Sequence, residues 1–467
     1  MTLPQEFILL LEEALGKDGL ETALAGLQSD PAVSVRTNPD KISVDELARH
    51  LLPFSSEGVP WCPQGLFLSE RPSFTLDPLL HAGAYYVQDS SAMMVGEVLR
   101  KLLPSIGFPA GERPFRVLDL CAAPGGKTTH AASVLRSFFG NNFLLVSNEV
   151  MRQRAAVLCQ NVSVWGDPCF AVTSADPSAF ASLDSFFDVV IADVPCSGEG
   201  MFRKDPEALA QWSADNVDMC CARQKRILAD MWSCLRPGGL LIYSTCTFNR
   251  KENDGNVLWA ASTLGAEVID LQIEWEGVLG TETGLSLVPG HVRGEGQFCA
   301  ALRKKTGPLE RSSSSGIAFT GKRGAPAKAP QIPSGLSEYI TDTCVFRSRG
   351  ETLVAVPSVI SPSVGELSPL HPMMAGTAIG MVKGKDFIPD GDLANSLLLK
   401  RGAFPECEVS SDTALSFLHR ETLRLQDAPR GIVLLTYGGI PLGFVKNIGT
   451  RCNNLLPPSR RIRMDIR

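Results

Sequence analysis

Between residues 115 and 246, short apolar runs alternate with helical stretches, and this alternation constrains the fold more than any other feature of the chain. Phe115-Arg-Val-Leu-Asp-Leu-Cys121 reads as a strand, and a helix follows from Gly126 to Phe139. Phe143-Leu-Leu-Val-Ser-Asn148 is the next strand, with Met151 to Val162 as its helix. Phe187-Asp-Val-Val-Ile-Ala-Asp193 is strand-like, and Asp215 to Leu235 is a long helix closed by Arg236-Pro-Gly-Gly. Gly239-Leu-Leu-Ile-Tyr-Ser-Thr-Cys246 is a further strand. Strands this continuously apolar are buried on both faces, and repeated strand–helix units give an α/β fold with a doubly wound, largely parallel sheet. Ligands bind such sheets beyond the carboxyl ends of the strands. Residues that end strands are therefore the places to look for chemistry.

The rest of the chain divides around this core. In the first region, Phe7, Leu10, Leu11 and Leu15 have helical spacing, Val33 to Pro39 alternates like a short strand, and residues 53–65 are dense in turn formers and read as a loop. From Gln88 a helix continues to Leu103, with a serine available to cap it. Residues 306–334 are rich in Ser, Gly, Pro, Ala and Lys, without periodicity, as in a linker. Beyond them, short strands predominate, and Tyr437-Gly-Gly-Ile440 carries a hairpin signal. The expected units are an N-terminal domain (1–78), the core domain (79–305), a flexible basic linker (306–335) and a C-terminal region (336–467).

Composition narrows the function. Hydrophobic residues make up 44% and charged residues 20% of 467, an ordinary globular mix, and no run of about 18 apolar residues marks a membrane span. The N-terminus lacks the basic start of a signal peptide, and the thirteen cysteines include no CxxC pair, so reduced thiols in the cytoplasm are expected. The histidines are isolated along the chain, with none at ligand spacing, and no metal site is expected. The net charge of −6 is unevenly spread: residues 303–328 carry seven basic and one acidic side chain, and residues 451–467 carry five and one. Local basic segments on an acidic body suit either phosphate contact or a solvated linker and tail.

Asp119-Leu-Cys-Ala-Ala-Pro-Gly-Gly-Lys-Thr128 lies between a strand and a helix, where glycines admit a ligand close to the backbone and a helix N-terminus offers free N–H groups. A Walker A loop needs a glycine where Cys121 stands, so nucleotide hydrolysis is disfavoured. Glu149, at the end of the next strand, suits a carboxylate accepting from a ribose diol. No GxGxxG is present, so a nucleoside without pyrophosphate, such as S-adenosylmethionine, fits better than NAD. Asp176, after a third strand, either accepts from the adenine amino group or is a solvated turn residue.

Two cysteines end two strands, in Asp193-Val-Pro-Cys-Ser-Gly-Glu-Gly200 and Ser244-Thr-Cys-Thr247. A lone strand-end cysteine is usually a buried small hydrophobe. A Pro-Cys, a Thr-Cys and an acid around one nucleoside pocket match methylation of a pyrimidine ring carbon. Carbon 5 of cytosine is a poor nucleophile, but a thiolate adding to carbon 6 turns the ring into an enamine that can attack a methyl sulfonium. Asp193, hydrogen-bonded at N3 and the amino group, would stabilise the adduct, and a base must then remove the carbon 5 proton. The residues themselves leave open which cysteine attacks.

These three motifs closely resemble RNA cytosine-C5 methyltransferases of the Sun/Fmu (RsmB/RsmF) family. The resemblance extends to Arg36-Thr-Asn-Pro39, Ala84-Tyr-Tyr-Val-Gln88 and the C-terminal extension. It implies a Rossmann-like class I methyltransferase core, a small α+β N-terminal RNA-binding domain and a strand-rich, PUA-like RNA-binding extension around Gly443-Phe-Val-Lys446. It further implies Cys246 as nucleophile and Cys196 as the residue assisting release. The cofactor contacts it implies are Cys121, Ala122, Ala123, Pro124, Gly125, Gly126, Lys127, Glu149, Arg154, Asp176 and Asp193. The implied partner is RNA, as small-subunit ribosomal RNA or an assembled 30S particle, bound by a monomer without a membrane. Transfer to tRNA and a non-catalytic assembly factor on the same fold are the alternatives. Two further expectations concern single residues: the Arg203-Lys204 pair either meets a phosphate or rims a solvated loop, and Trp212, Met219, Trp232 and the Cys220-Cys221 pair serve packing.

Overall fold

The computed structural model describes residues 2–54, 56–107, 113–306, 335–384, 386–426 and 428–465. The basic linker expected at 306–335 falls almost wholly outside these residues.

The apolar alternation produces a ten-stranded sheet at the centre of the molecule. Five strands are parallel, running across the sheet as Leu235–Thr245, Phe187–Asp193, Phe115–Asp119, Phe143–Asn148 and Phe170–Thr173. The first strand in sequence is therefore central, and the chain winds outward from it in both directions. The switch in winding falls between Phe115–Asp119 and Phe187–Asp193, which brings the ends of Asp119 and Asp193 to the crevice where such sheets take ligands. Gln297–Lys304 adds antiparallel to Leu235–Thr245. Strand residues such as Val117, Leu145, Val190 and Leu241 are wholly buried, each worth about 1.5–3 kcal/mol.

Helix Gly126–Phe139 follows the glycine turn, with Gly125 as its N-cap at φ 114°, a left-handed conformation that favours glycine. Helix Ser90–Leu102 is capped by Asp89, whose carboxylate accepts from the Ser91 N–H at 3.0 Å, rather than by a serine.

Residues 53–65 are not a loop. Ser56–Val59 and Cys62–Leu68 pair as a hairpin, and with Val33–Thr37 and Tyr85–Val87 they form a four-stranded sheet that runs past residue 78. Its prolines sit in the turn and near a strand start, where no ladder donor is lost. Two further four-stranded sheets follow, Cys344–Pro389 and Glu406–Asn454, the latter containing the Gly438-Gly439 hairpin. The C-terminal strands are not a detached unit. Met374–Ala375 extends the central sheet beside Phe170–Thr173, and Phe417, Val433 and Leu442 share one apolar core with Val35, Leu66 and Tyr85.

The fold also gathers residues that the sequence keeps apart. Cys62, Glu97 and His130 place donor atoms within 4.8 Å of one another, so these positions are not isolated in space. His130 Nε2 lies 3.0 Å from Glu97 Oε1, a hydrogen bond, and burial lowers this imidazole to about 4, keeping it neutral.

Candidate active site

The carboxyl edge of the parallel strands carries the acids, the glycine turn and both strand-end cysteines. The turn 121–127 is tied to the neighbouring strand: the Ala122 N–H donates to the Asn148 carbonyl at 2.8 Å, and Asn148 Nδ2 donates to the carbonyls of Leu120 and Ala175. Asn148 thus latches three successive strand ends. Ala123-Pro124 is a cis peptide, and its Pro124 carbonyl accepts from Asn161 and Tyr86. Arg36, fully buried, donates to Thr129 at 2.6 Å and to the Gly126 carbonyl at 3.3 Å, so the N-terminal sheet buttresses the first turn of the helix.

Glu149 is buried just past its strand, accepting from the Met151 N–H at 2.9 Å and pairing with Arg154 at 3.1 Å. Arg154 also donates to the Ala123 carbonyl, bridging acid and turn. Lys127 meets Asp193 at 2.9 Å. Burial lowers the affinity of this lysine for its proton, but the Asp193 charge and hydrogen bond outweigh that and raise it above its ordinary value. Asp193 also accepts from Ser244 at 2.8 Å and Gln297 at 3.1 Å. Asp176 stands apart: it is exposed, and its carboxylate caps the turn Pro177–Ser182 through Ser178.

The thiols of Cys196 and Cys246 lie 3.2 Å apart, at the ends of two adjacent parallel strands. The contact with Cys246, and then burial, push the Cys196 thiol well above its ordinary range. Cys121 is raised chiefly by burial and then by Asp119, Asp193 and Glu149, which shows how closely three carboxylates surround the turn.

Local sequence signals did not mark several of these groups. Asn148 was legible in principle, as a polar residue closing an apolar strand. Gln297 reaches the site from a distant segment and had no local signature, and Arg36 stood out only within the Arg36-Thr-Asn-Pro39 resemblance, which gave it no role at the site. Arg203 is not available to a phosphate: it is buried against Glu295 at 2.8 Å and donates to the Gly26 and Gly294 carbonyls. Met219 is exposed rather than core, because helix Ala214–Met231 turns that position outward, whereas Trp212 and Cys220 are buried.

The chemistry of this pocket suits a cationic nucleoside. Asp119 Oδ1 and Ser147 Oγ are buried polar atoms without a partner, on directly paired residues of adjacent strands. Burial raises the Asp119 carboxyl to about 7, so a cation beside it would relieve a standing cost. Three acids, a glycine turn and a helix N-terminus at a switch point define an S-adenosylmethionine-dependent methyltransferase. Comparison with known proteins places it more closely. Residues 110–303 match the family described as 16S rRNA methyltransferase RsmB/F, residues 3–90 the N-terminal domain of 16S rRNA methyltransferase RsmF, and residues 404–462 the RsmF PUA domain. The chain belongs to the RsmB/F family of 16S rRNA methyltransferases. It is 30% identical to ribosomal RNA small subunit methyltransferase F of Cronobacter sakazakii, over 97% of this chain and 95% of that one. The protein of the same name from Salmonella paratyphi B matches equally, with 30% identity over the same shares. Among solved structures, a methyltransferase homologue from Pyrococcus horikoshii superposes with a TM-score of 0.52 at 26% identity, covering 63% of this chain and 93% of that one. NSun6 from the same organism shares the fold, with a TM-score of 0.56 at 19% identity, covering 65% and 99%.

Proposed function

We propose that this protein methylates carbon 5 of a cytosine in small-subunit ribosomal RNA through a transient bond between Cys246 and carbon 6. The observation that carries this reading is the pair of thiols 3.2 Å apart beside Asp193. S-adenosylmethionine, when bound, supplies an electrophilic methyl group. Glu149 would accept from its ribose hydroxyls, Asp119 and the turn 121–127 would hold its charged end, and Lys127 and Arg154 hold the acids in place; Asp176, with one carboxylate oxygen committed to its cap, would face the adenine.

The Cys196 thiol is held well above its ordinary range and keeps its proton, which favours Cys246 as the nucleophile. The Cys246 thiolate adds to carbon 6, breaking the 5,6 double bond, while Asp193 is hydrogen-bonded at N3 and the amino group. Carbon 5 of the resulting enamine would take the methyl group, the methyl–sulfur bond breaking with its electron pair left on a neutral thioether. Sulfur bonded to carbon carries no charge, so the largest influence that held Cys196 up is lifted while burial remains; Cys196 then releases its proton to solvent and acts as base in its thiolate form. It removes the carbon 5 proton, the electron pair reforms the double bond, and Cys246 leaves as thiolate.

A target cytosine must leave any stack to reach thiols at a strand end. The N-terminal sheet and the PUA-like C-terminal region are assigned to gripping RNA around it, as naked RNA or as an assembled 30S particle. Cys246→Ala should abolish methyl transfer while leaving S-adenosylmethionine affinity within about twofold, because the residue is not assigned a cofactor contact. Retained turnover eliminates Cys246 as nucleophile. Mapping of 5-methylcytosine in ribosomal and transfer RNA, from cells with and without the protein, tests the substrate: loss from tRNA alone excludes ribosomal RNA.

A further inference from the structure

Beneath the two cysteines lie two buried carboxylates that the reaction above does not use. Glu199 follows Cys196 by three residues, yet beside bonds from Trp212 Nε1 at 3.2 Å and Ser197 Oγ at 3.5 Å, three of its hydrogen bonds go to the other cysteine's loop. Its Oε2 accepts from the backbone N–H groups of Phe248 at 2.6 Å and Asn249 at 3.1 Å, and its Oε1 accepts from the Asn249 side chain at 2.8 Å. Glu252 follows Cys246 by six residues and reaches back the opposite way. It accepts from the Ser197 N–H, the amide next to Cys196, at 3.1 Å, and from Gln224 at 2.7 Å and Asn249 at 2.9 Å. Each loop therefore carries the carboxylate that ties down the other. The Gly200 N–H donates to the Cys246 carbonyl at 2.8 Å, an approach so close that a Cβ at Gly200 would sit 2.9 Å from that oxygen.

Stability does not explain the arrangement. Glu199 and Glu252 are 1% and 0% exposed, and among the described residues neither pairs with a lysine or arginine. Burial pushes Glu252 above its ordinary value, against the bonds from Ser197 and Asn249. Two buried acids held only by neutral donors are costly, and apolar packing would fill the same space at lower cost. What the carboxylates provide is geometry: an acceptor that takes several donors at once fixes both loops in register.

We infer that Glu199 and Glu252 are positioning residues, a reciprocal clamp that sets the separation of the two sulfurs and thereby governs release of the covalent adduct. The inference rests on the roles proposed above for Cys246 and Cys196. Attack requires only Cys246 and a bound base, whereas release requires Cys196 to reach the carbon 5 proton while Cys246 is still attached. Release is thus the step most exposed to a change in loop register. An amide in place of either carboxylate would put an N–H₂ group against donors already present, forcing the loops apart.

The test compares Glu199→Gln and Glu252→Gln with Cys196→Ala and Cys246→Ala in the full-length protein on small-subunit RNA. Each variant is assayed for kcat, KM for RNA, S-adenosylmethionine affinity, thermal stability and denaturation-resistant protein–RNA adduct. Expected for the two glutamate variants is a fall in kcat of roughly tenfold to a hundredfold, the scale of a misplaced reacting group. KM and cofactor affinity should stay within about twofold, with adduct accumulating during turnover. Unchanged kcat overturns the clamp. So does a joint loss of stability, cofactor affinity and kcat without adduct, the signature of a merely structural role. If Cys196→Ala accumulates adduct and the glutamate variants do not, the clamp alone fails. If Cys246→Ala still turns over, it is the covalent reading that fails.

Discussion

Replacing Asp119 by asparagine should reverse its effect on stability between acid and alkaline pH. The carboxyl is fully buried at the end of the central strand, with Oδ2 accepting from Thr128 at 2.5 Å and Oδ1 without a partner. Burial raises it from an ordinary value of 3.8 to about 7. Because the folded value lies above the unfolded one, the folded state binds this proton more tightly. The stabilisation is complete below pH 3.8 and is lost as pH rises to about 7. At about 1.4 kcal/mol per pH unit, the full span amounts to about 4 kcal/mol. Asparagine does not titrate, so it escapes this loss, but a buried amide with one unmade hydrogen bond costs about 1–3 kcal/mol at every pH. Asp119→Asn should therefore be less stable than the parent by about 2 kcal/mol near pH 4, and more stable by about 2 kcal/mol at pH 8. Urea unfolding followed by tryptophan fluorescence from pH 4 to 8, without cofactor, measures the difference. The same variant should bind S-adenosylmethionine at least about tenfold more weakly at pH 8, since a charge-assisted bond is worth about 1.5–3 kcal/mol. Parallel stability curves for the two proteins, or a variant destabilised at pH 8, would refute the argument.

Three other perturbations separate the parts of the molecule. Cys196→Ala should leave the first methyl transfer intact and trap the protein on RNA, seen as a shifted band on a denaturing gel; normal turnover with no shifted band removes its role in release. Arg36→Met should lower S-adenosylmethionine affinity by about fivefold and stability by about 2 kcal/mol, because the guanidinium holds Gln88 at 2.7 Å and Thr129 at 2.6 Å beneath the turn; calorimetric titration showing unchanged affinity would remove that link. Asp188→Asn should cost about 3–5 kcal/mol, since this buried carboxylate holds Arg113 at 2.8 Å and Arg236 at 2.6 Å. Its place at the far end of the strand from the site should leave cofactor affinity of the folded fraction unaltered in the same titration.

The central elements were legible because their signals are local. The strands Phe143–Asn148 and Phe187–Asp193 and the helix Gly126–Phe139 stand where apolar runs and the glycine turn put them. Residues 53–65 were not legible, because turn formers there sit in an edge hairpin whose partner strand lies elsewhere in the chain. Arg203 looked like a surface cation and is internal, because its partners Glu295 and the Gly26 carbonyl come from distant segments.

By itself the sequence determined which residues end strands, and so which acids, glycines and cysteines could share an edge. It could not determine which strands are neighbours. Cys196 and Cys246 are fifty residues apart, and their sulfurs meet only because Phe187–Asp193 and Leu235–Thr245 pair in parallel. Glu199 and Glu252 carry no local mark of their exchange between loops, since a buried carboxylate takes its meaning from donors that arrive from another strand. Periodicity is a property of neighbours along the chain, whereas sheet order and the satisfaction of buried polar groups are properties of neighbours in space.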